Sequence, residues 1–182
     1  MNISTEIKDA LQKIKETTPN VVGIDGTDGV GKTQLAKDIE KLGYKRISLD
    51  DFLKRESGGY FKFINFETLI KSIKQASESP IVIEGLLLRK ILEKLSLTTN
   101  YYIYITDNVW IYDWLEEYQG KYYGLHIDDI VINVEREINR LNRIISPGSK
   151  PYKMGSLRKE IYEYSYEYKP WEEADIILET NL

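Results

Sequence analysis

Residues 26 to 33 read Gly-Thr-Asp-Gly-Val-Gly-Lys-Thr, directly after the apolar run Val21, Val22, Gly23, Ile24 and ahead of a helical stretch from Gln34 to Leu42. A glycine-rich turn between a strand and a helix lets successive backbone N–H groups point inward at phosphate oxygens, and the helix N-terminus adds a partial positive charge. The expected phosphate contacts are Gly26, Thr27, Asp28, Gly29, Val30, Gly31, Lys32 and Thr33. Lys32 reaches the β- and γ-phosphates in this reading, and the Thr33 hydroxyl holds a magnesium ion that keeps most of its waters.

Strand-like segments follow at Lys45 to Leu49, Ile81 to Ile83, Tyr101 to Ile105 and Ile176 to Leu178. Helical patterns lie between them: Leu35, Ile39 and Leu42; Phe66, Leu69, Ile70 and Ile73; Leu87 to Leu95; and Asp128 to Ile145. Alternating strands and helices predict an α/β fold of three layers, a P-loop NTPase fold with a parallel sheet of about five strands flanked by helices. The nearly uninterrupted apolar strands agree with burial on both faces. Tyr162, Tyr164, Tyr166 and Tyr168 alternate with polar residues, but Leu157, Ile161 and Tyr164 also fit a helix, which is the expectation adopted.

A chain of 182 residues can build one substantial core, so a single domain over 1–182 is expected. With a formal net charge of -4 and no Lys/Arg block, nucleic acid is excluded as an expected partner. There is no cysteine, which removes disulfides, thiolate zinc sites and cysteine nucleophiles and fits a cytoplasmic setting. Residues 1–18 carry Ile3, Ile7, Leu11 and Ile14 at helical spacing among charges, predicting an N-terminal amphipathic helix rather than a signal peptide or a membrane span.

In an open α/β sheet the ligand lies outside the carboxyl ends of the strands. Two of those ends carry acids: Ser48-Leu49-Asp50-Asp51-Phe52 and Glu84-Gly85. Phosphoryl transfer uses magnesium to bridge the phosphates and a carboxylate near the acceptor hydroxyl, so both positions are chemically apt. Asp50 and Asp51 also suit a helix cap, and Glu84 a turn. Arg136, Arg140 and Arg143 are spaced four and three apart on one helical face. Within a candidate lid or insert over residues 119–155, Arg140 and Arg143 could serve the nucleotide and Arg136 the acceptor; equally, they could form a solvated face paired with Glu135 and Glu137. His126, the lone histidine, reads as a surface residue.

From Val21 to Thr106 the chain resembles the uridine kinase-like nucleoside kinases, a group that includes the nicotinamide riboside kinases. The resemblance rests on the phosphate loop, on Ile47-Ser48-Leu49-Asp50-Asp51-Phe52 and on Ile81-Val82-Ile83-Glu84-Gly85. It implies an ATP- and Mg2+-dependent kinase with Asp50 as catalytic base, Glu84 beside the magnesium, and a small-molecule alcohol, a nucleoside, as acceptor. Ile64-Asn65-Phe66-Glu67 resembles a family segment that holds ribose hydroxyls, which implies Glu67 as a sugar ligand, although the His-Pro that follows in uridine kinases is replaced by Thr68-Leu69. Glu67 suits the first turn of a helix equally well. Neither a membrane nor a nucleic acid is an expected partner; a homodimer is allowed. Asp28-Gly29 and Arg55-Glu56-Ser57-Gly58-Gly59 resemble thymidylate kinases, which makes a nucleoside monophosphate kinase the alternative. A nucleotide-binding switch is the third reading, and the guanine-reading Asn-Lys-x-Asp segment of GTPases is absent.

Overall fold

The computed structural model describes residues 3–4, 7–54, 59–76, 78–107 and 124–180. Among these, six strands form one parallel sheet: β1 (Ile3–Ser4), β2 (Val21–Gly26), β3 (Lys45–Ser48), β4 (Ile81–Glu84), β5 (Tyr101–Asp107) and β6 (Ile176–Thr180). Their order is β1-β6-β5-β2-β4-β3. The strand that feeds the phosphate loop therefore lies inside the sheet, between β5 and β4, with Ile24 opposite both Ile103 and Glu84.

Strand periodicity divides the apolar side chains between two faces. Val22, Ile24, Val82 and Ile103 pack with Ala10 and Ile14 of α1 (Ile7–Thr17) and with Leu35 and Ile39 of α2 (Lys32–Glu40). Ile81 and Ile83 project the other way, onto Leu69 of α3 (Phe66–Gln75), Leu88 and Ile91 of α4 (Leu88–Lys94) and Tyr164 of α6 (Ser156–Tyr168). A third cluster seats Ile130 and Val134 of α5 (Ile127–Ile145) on Tyr104, Tyr162, Trp171 and Ile177. The expected three layers are present, and the tyrosine-rich segment is helical.

One expectation is corrected. The helix anticipated over residues 1–18 begins at Ile7, and Ile3–Ser4 is a strand instead, with Ile3 opposite Ile177 and Ser4 opposite Leu178. Without it, one side of β6 would present unpaired backbone groups, and two residues suffice to engage them. Ile3 falls on the same 3.6-residue period as Ile7, Leu11 and Ile14, so periodicity alone does not separate it from the helix. No helix among the described residues is long and apolar enough to cross a membrane.

Candidate active site

The loop from β2 to α2 is shaped by what its neighbours leave room for. Gly26 has φ 145, and a Cβ there would lie 2.0 Å from the Ile105 carbonyl oxygen of β5, so no side chain fits where the chain leaves the sheet. Lys32, the first residue of α2, turns back over the loop and donates from Nζ to the carbonyl oxygens of Gly26, at 3.2 Å, and Thr27. It is buried. Burial lowers its ammonium pKa below the ordinary lysine value, while the carboxylates of Asp25, Asp28, Glu84 and Asp50 act in the opposite sense. Acids from the strand ends after β2, β3 and β4 thus converge on one lysine.

Glu84 ends β4, opposite Ser48 in register, and is 1% exposed. The Thr33 hydroxyl donates toward its two carboxylate oxygens at 3.2 and 3.3 Å, and Arg46 pairs with Oε1 at 3.3 Å. A buried carboxylate is costly without partners, and these supply a donor and a cation. The following Gly85 is fixed by packing, since a Cβ there would fall 2.6 Å from Leu49 Cβ. Among the described residues no group of three or more His, Cys, Asp or Glu side chains could cage a metal by itself. The donor set present, one hydroxyl and one carboxylate at the phosphate loop, suits a magnesium ion that draws its remaining ligands from phosphate oxygens and water.

Asp50 follows β3 in a short 3-10 turn, Leu49–Phe52, and is exposed. Its Oδ1 accepts a 2.6 Å hydrogen bond from the Tyr60 hydroxyl, which also accepts from the Leu86 amide at 3.4 Å. Burial first, and then the neighbouring Asp50 charge, pushes the Tyr60 phenol far above its ordinary pKa, so it stays a donor. The loop bearing Tyr60 is in turn gripped by Glu160 of α6, whose carboxylate accepts from the amides of Tyr60 at 2.5 Å and Phe61 at 3.0 Å.

Beneath the phosphate loop, Asp25 is enclosed in β2. Its Oδ1 accepts from the Gly26 amide at 2.7 Å, and its Oδ2 from the hydroxyls of Tyr102, at 2.7 Å, and Tyr164. Burial raises its pKa above the ordinary carboxylate value, and the hydrogen bonds from Tyr164, Tyr102 and Gly26 oppose that rise.

The structure thus brings the loop over residues 26–33, with Lys32 and Thr33, together with Glu84 and Asp50 into one neighbourhood. The other expected residues have different settings. Glu67 lies in the first turn of α3, exposed and paired with Lys71 at 2.7 Å, with Asn65 capping the helix. Arg136, Arg140 and Arg143 are exposed on α5, where Arg136 donates to Asn133 and Arg140 pairs with Glu137 at 2.9 Å. His126 caps the same helix by accepting from the Asp128 amide. Most of the Arg55 to Gly59 segment and the first part of the candidate lid, residues 119–123, lie outside the described residues. Sequence reasoning missed Tyr60, Arg46, Glu160 and the role of Asp25. Only Asp25 carried a local signal, an acid embedded in a buried apolar strand.

A central parallel sheet, helices on both faces and a phosphate loop between its first inner strand and the following helix define a P-loop kinase-like fold. The solved structure of a possible uridine kinase from Bacillus stearothermophilus superimposes with a TM-score of 0.51 over 94% of this chain and 96% of that one, at 14% identity. An uncharacterized protein from Eubacterium ventriosum aligns over 88% of each chain with a TM-score of 0.34 and 16% identity. No family model matches the sequence, and no curated protein matches it.

Proposed function

We propose that this chain is an ATP-dependent kinase that moves the γ-phosphoryl group to a hydroxyl of a nucleoside-like small molecule. The observation that carries the reading is the glycine-rich loop at the end of β2, with Lys32 folded back over it and the Thr33 hydroxyl 3.2 Å from the Glu84 carboxylate at the end of β4. Loop amides and Lys32 bind the triphosphate, Lys32 exchanging its contacts with the Gly26 and Thr27 carbonyls for phosphate oxygens. Thr33 and Glu84 would hold magnesium, which supplies charge neutralisation on the phosphates when bound.

Asp50 orients the acceptor hydroxyl. As the acceptor oxygen bonds to the γ-phosphorus and the bond to the β-γ bridging oxygen breaks, the hydroxyl proton passes to the Asp50 carboxylate and ADP leaves. A carboxylate is too weak to deprotonate an alcohol in advance, but in a loose transition state the proton moves late, so orientation is its main task. The nucleoside acceptor is supported by the resemblance over Val21 to Thr106 and by the described identity of the Bacillus structure as a possible uridine kinase.

The test is Asp50→Asn, with ADP release followed in the presence of ribonucleosides. Acceptor-dependent turnover should fall roughly 10²- to 10⁴-fold with ATP affinity retained; turnover near wild type overturns the assignment. Nucleoside monophosphates in the same assay distinguish the thymidylate-like alternative, and hydrolysis indifferent to every acceptor would point to a switch.

A further inference from the structure

Glu160 and Tyr164 are one turn apart on α6, so their side chains leave the same face of the helix. Each ends at a different half of the site. Tyr164 donates to Asp25, whose other oxygen holds the Gly26 amide at the root of the phosphate loop. Glu160 holds the amides of Tyr60 and Phe61, and Tyr60 in turn holds Asp50. The phosphate cradle and the acceptor-side carboxylate come from segments 25 residues apart, and both are tied to one rigid turn more than 90 residues further along the chain.

We propose that α6 is a spacer that sets the separation between the phosphate loop and Asp50, with Glu160, Tyr60 and Tyr164 as positioning residues. The inference rests on the kinase reading above. In-line transfer requires the acceptor oxygen within about 3 to 3.5 Å of the phosphorus, and an error of 1 Å can cost roughly a hundredfold in rate. A helix is suited to fix such a distance, because its rise of about 1.5 Å per residue does not yield as a loop does. Buried tyrosine hydroxyls add directional constraint: Tyr164 also accepts from the Arg89 amide at 3.2 Å, so its hydroxyl has little freedom to turn away from Asp25.

The test separates the two ends. Purified wild type, E160A, E160Q, Y60F, Y164F and D50N are compared by calorimetric titration with MgATP and by ADP release with an equimolar mixture of adenosine, cytidine, guanosine and uridine. E160A and Y60F should lower kcat roughly 30- to 100-fold with the MgATP dissociation constant within about twofold of wild type. E160Q, which keeps one accepting oxygen, should recover part of that loss. Y164F should instead raise the MgATP dissociation constant roughly fivefold.

A double-mutant cycle supplies the readout that general loosening would not produce. If Glu160 and Tyr60 act through Asp50, neither E160A nor Y60F reduces turnover further in a D50N background. Losses that multiply in that background, or an E160A protein that binds MgATP as poorly as Y164F, overturn the spacer while leaving the kinase reading intact. A wild-type protein that binds MgATP but turns over none of the four nucleosides removes the nucleoside kinase reading, and the spacer with it.

Discussion

The charges around the phosphate loop and those along α5 belong to the same residue types but live under different physics. Lys32, Glu84 and Asp25 are buried, and Glu84 and Asp25 are tied to partners from other segments of the chain, whereas Arg136, Arg140 and Arg143 are exposed and the contacts of Arg136 and Arg140 lie within one helix turn. A pair of unit charges 4 Å apart is worth about 4 kcal/mol at an effective dielectric of 20, and exposed pairs measure about 0 to 1 kcal/mol. Spacing along a helix identifies a charged face; it does not say whether other segments of the chain bring partners to that face.

The largest effect that should separate the two regions is Lys32→Ala. It removes the only cation of the loop, while Glu84 keeps its pairing with Arg46, so turnover should fall by roughly 10³-fold, read by ADP release and MgATP calorimetry. Next comes Glu84→Gln. Weakening the carboxylate shared by Thr33 and Arg46 should raise the magnesium concentration needed for half-maximal turnover by roughly tenfold. An unchanged magnesium dependence would remove Glu84 from the metal side.

A smaller effect concerns Asp25. Because burial raises its folded-state pKa above the ordinary aspartate value of 3.8, the folded chain keeps a proton that the unfolded chain has released between 3.8 and that raised value. The protonated form stabilises fully below 3.8, and the contribution is lost as pH rises through this window. Asp25→Asn removes the titration, so its Tm relative to wild type should climb as pH rises above about 4. A difference that stays flat would mean that the hydrogen bonds of Tyr102 and Tyr164 fully offset the burial. The smallest effect is expected for Arg140→Ala combined with Arg143→Ala, a change in turnover below about threefold. A loss beyond tenfold would mean that α5 closes on the triphosphate during turnover and would make the two regions electrostatically alike.

Much of the candidate site was legible because its parts are short and contiguous. The phosphate loop is eight consecutive residues, and Asp50 and Glu84 each follow an apolar run that reads as a strand. Parallel strands put their carboxyl ends on one edge, which is why residues far apart in sequence could be assigned to one site. Thr33 facing Glu84 across 51 positions follows from that logic alone. Tyr60 was not legible: it lies in a loop whose path depends on Glu160, 100 residues later. Glu67, which the sequence left open between a sugar ligand and a helix first turn, stands in the first turn of α3, paired with Lys71.

The sequence by itself determined the alternation of strands and helices, the phosphate loop and the acids at the strand ends, because periodicity, glycine placement and strand termini are properties of neighbouring residues. Only the tertiary structure decided the strand order with β2 between β4 and β5, the addition of Ile3–Ser4 to the sheet edge, and the reach of α6 to both Asp25 and the Tyr60 loop. Those depend on which surfaces meet when the layers pack, and a hydrogen bond between distant residues contributes most where burial has removed water as the competing partner.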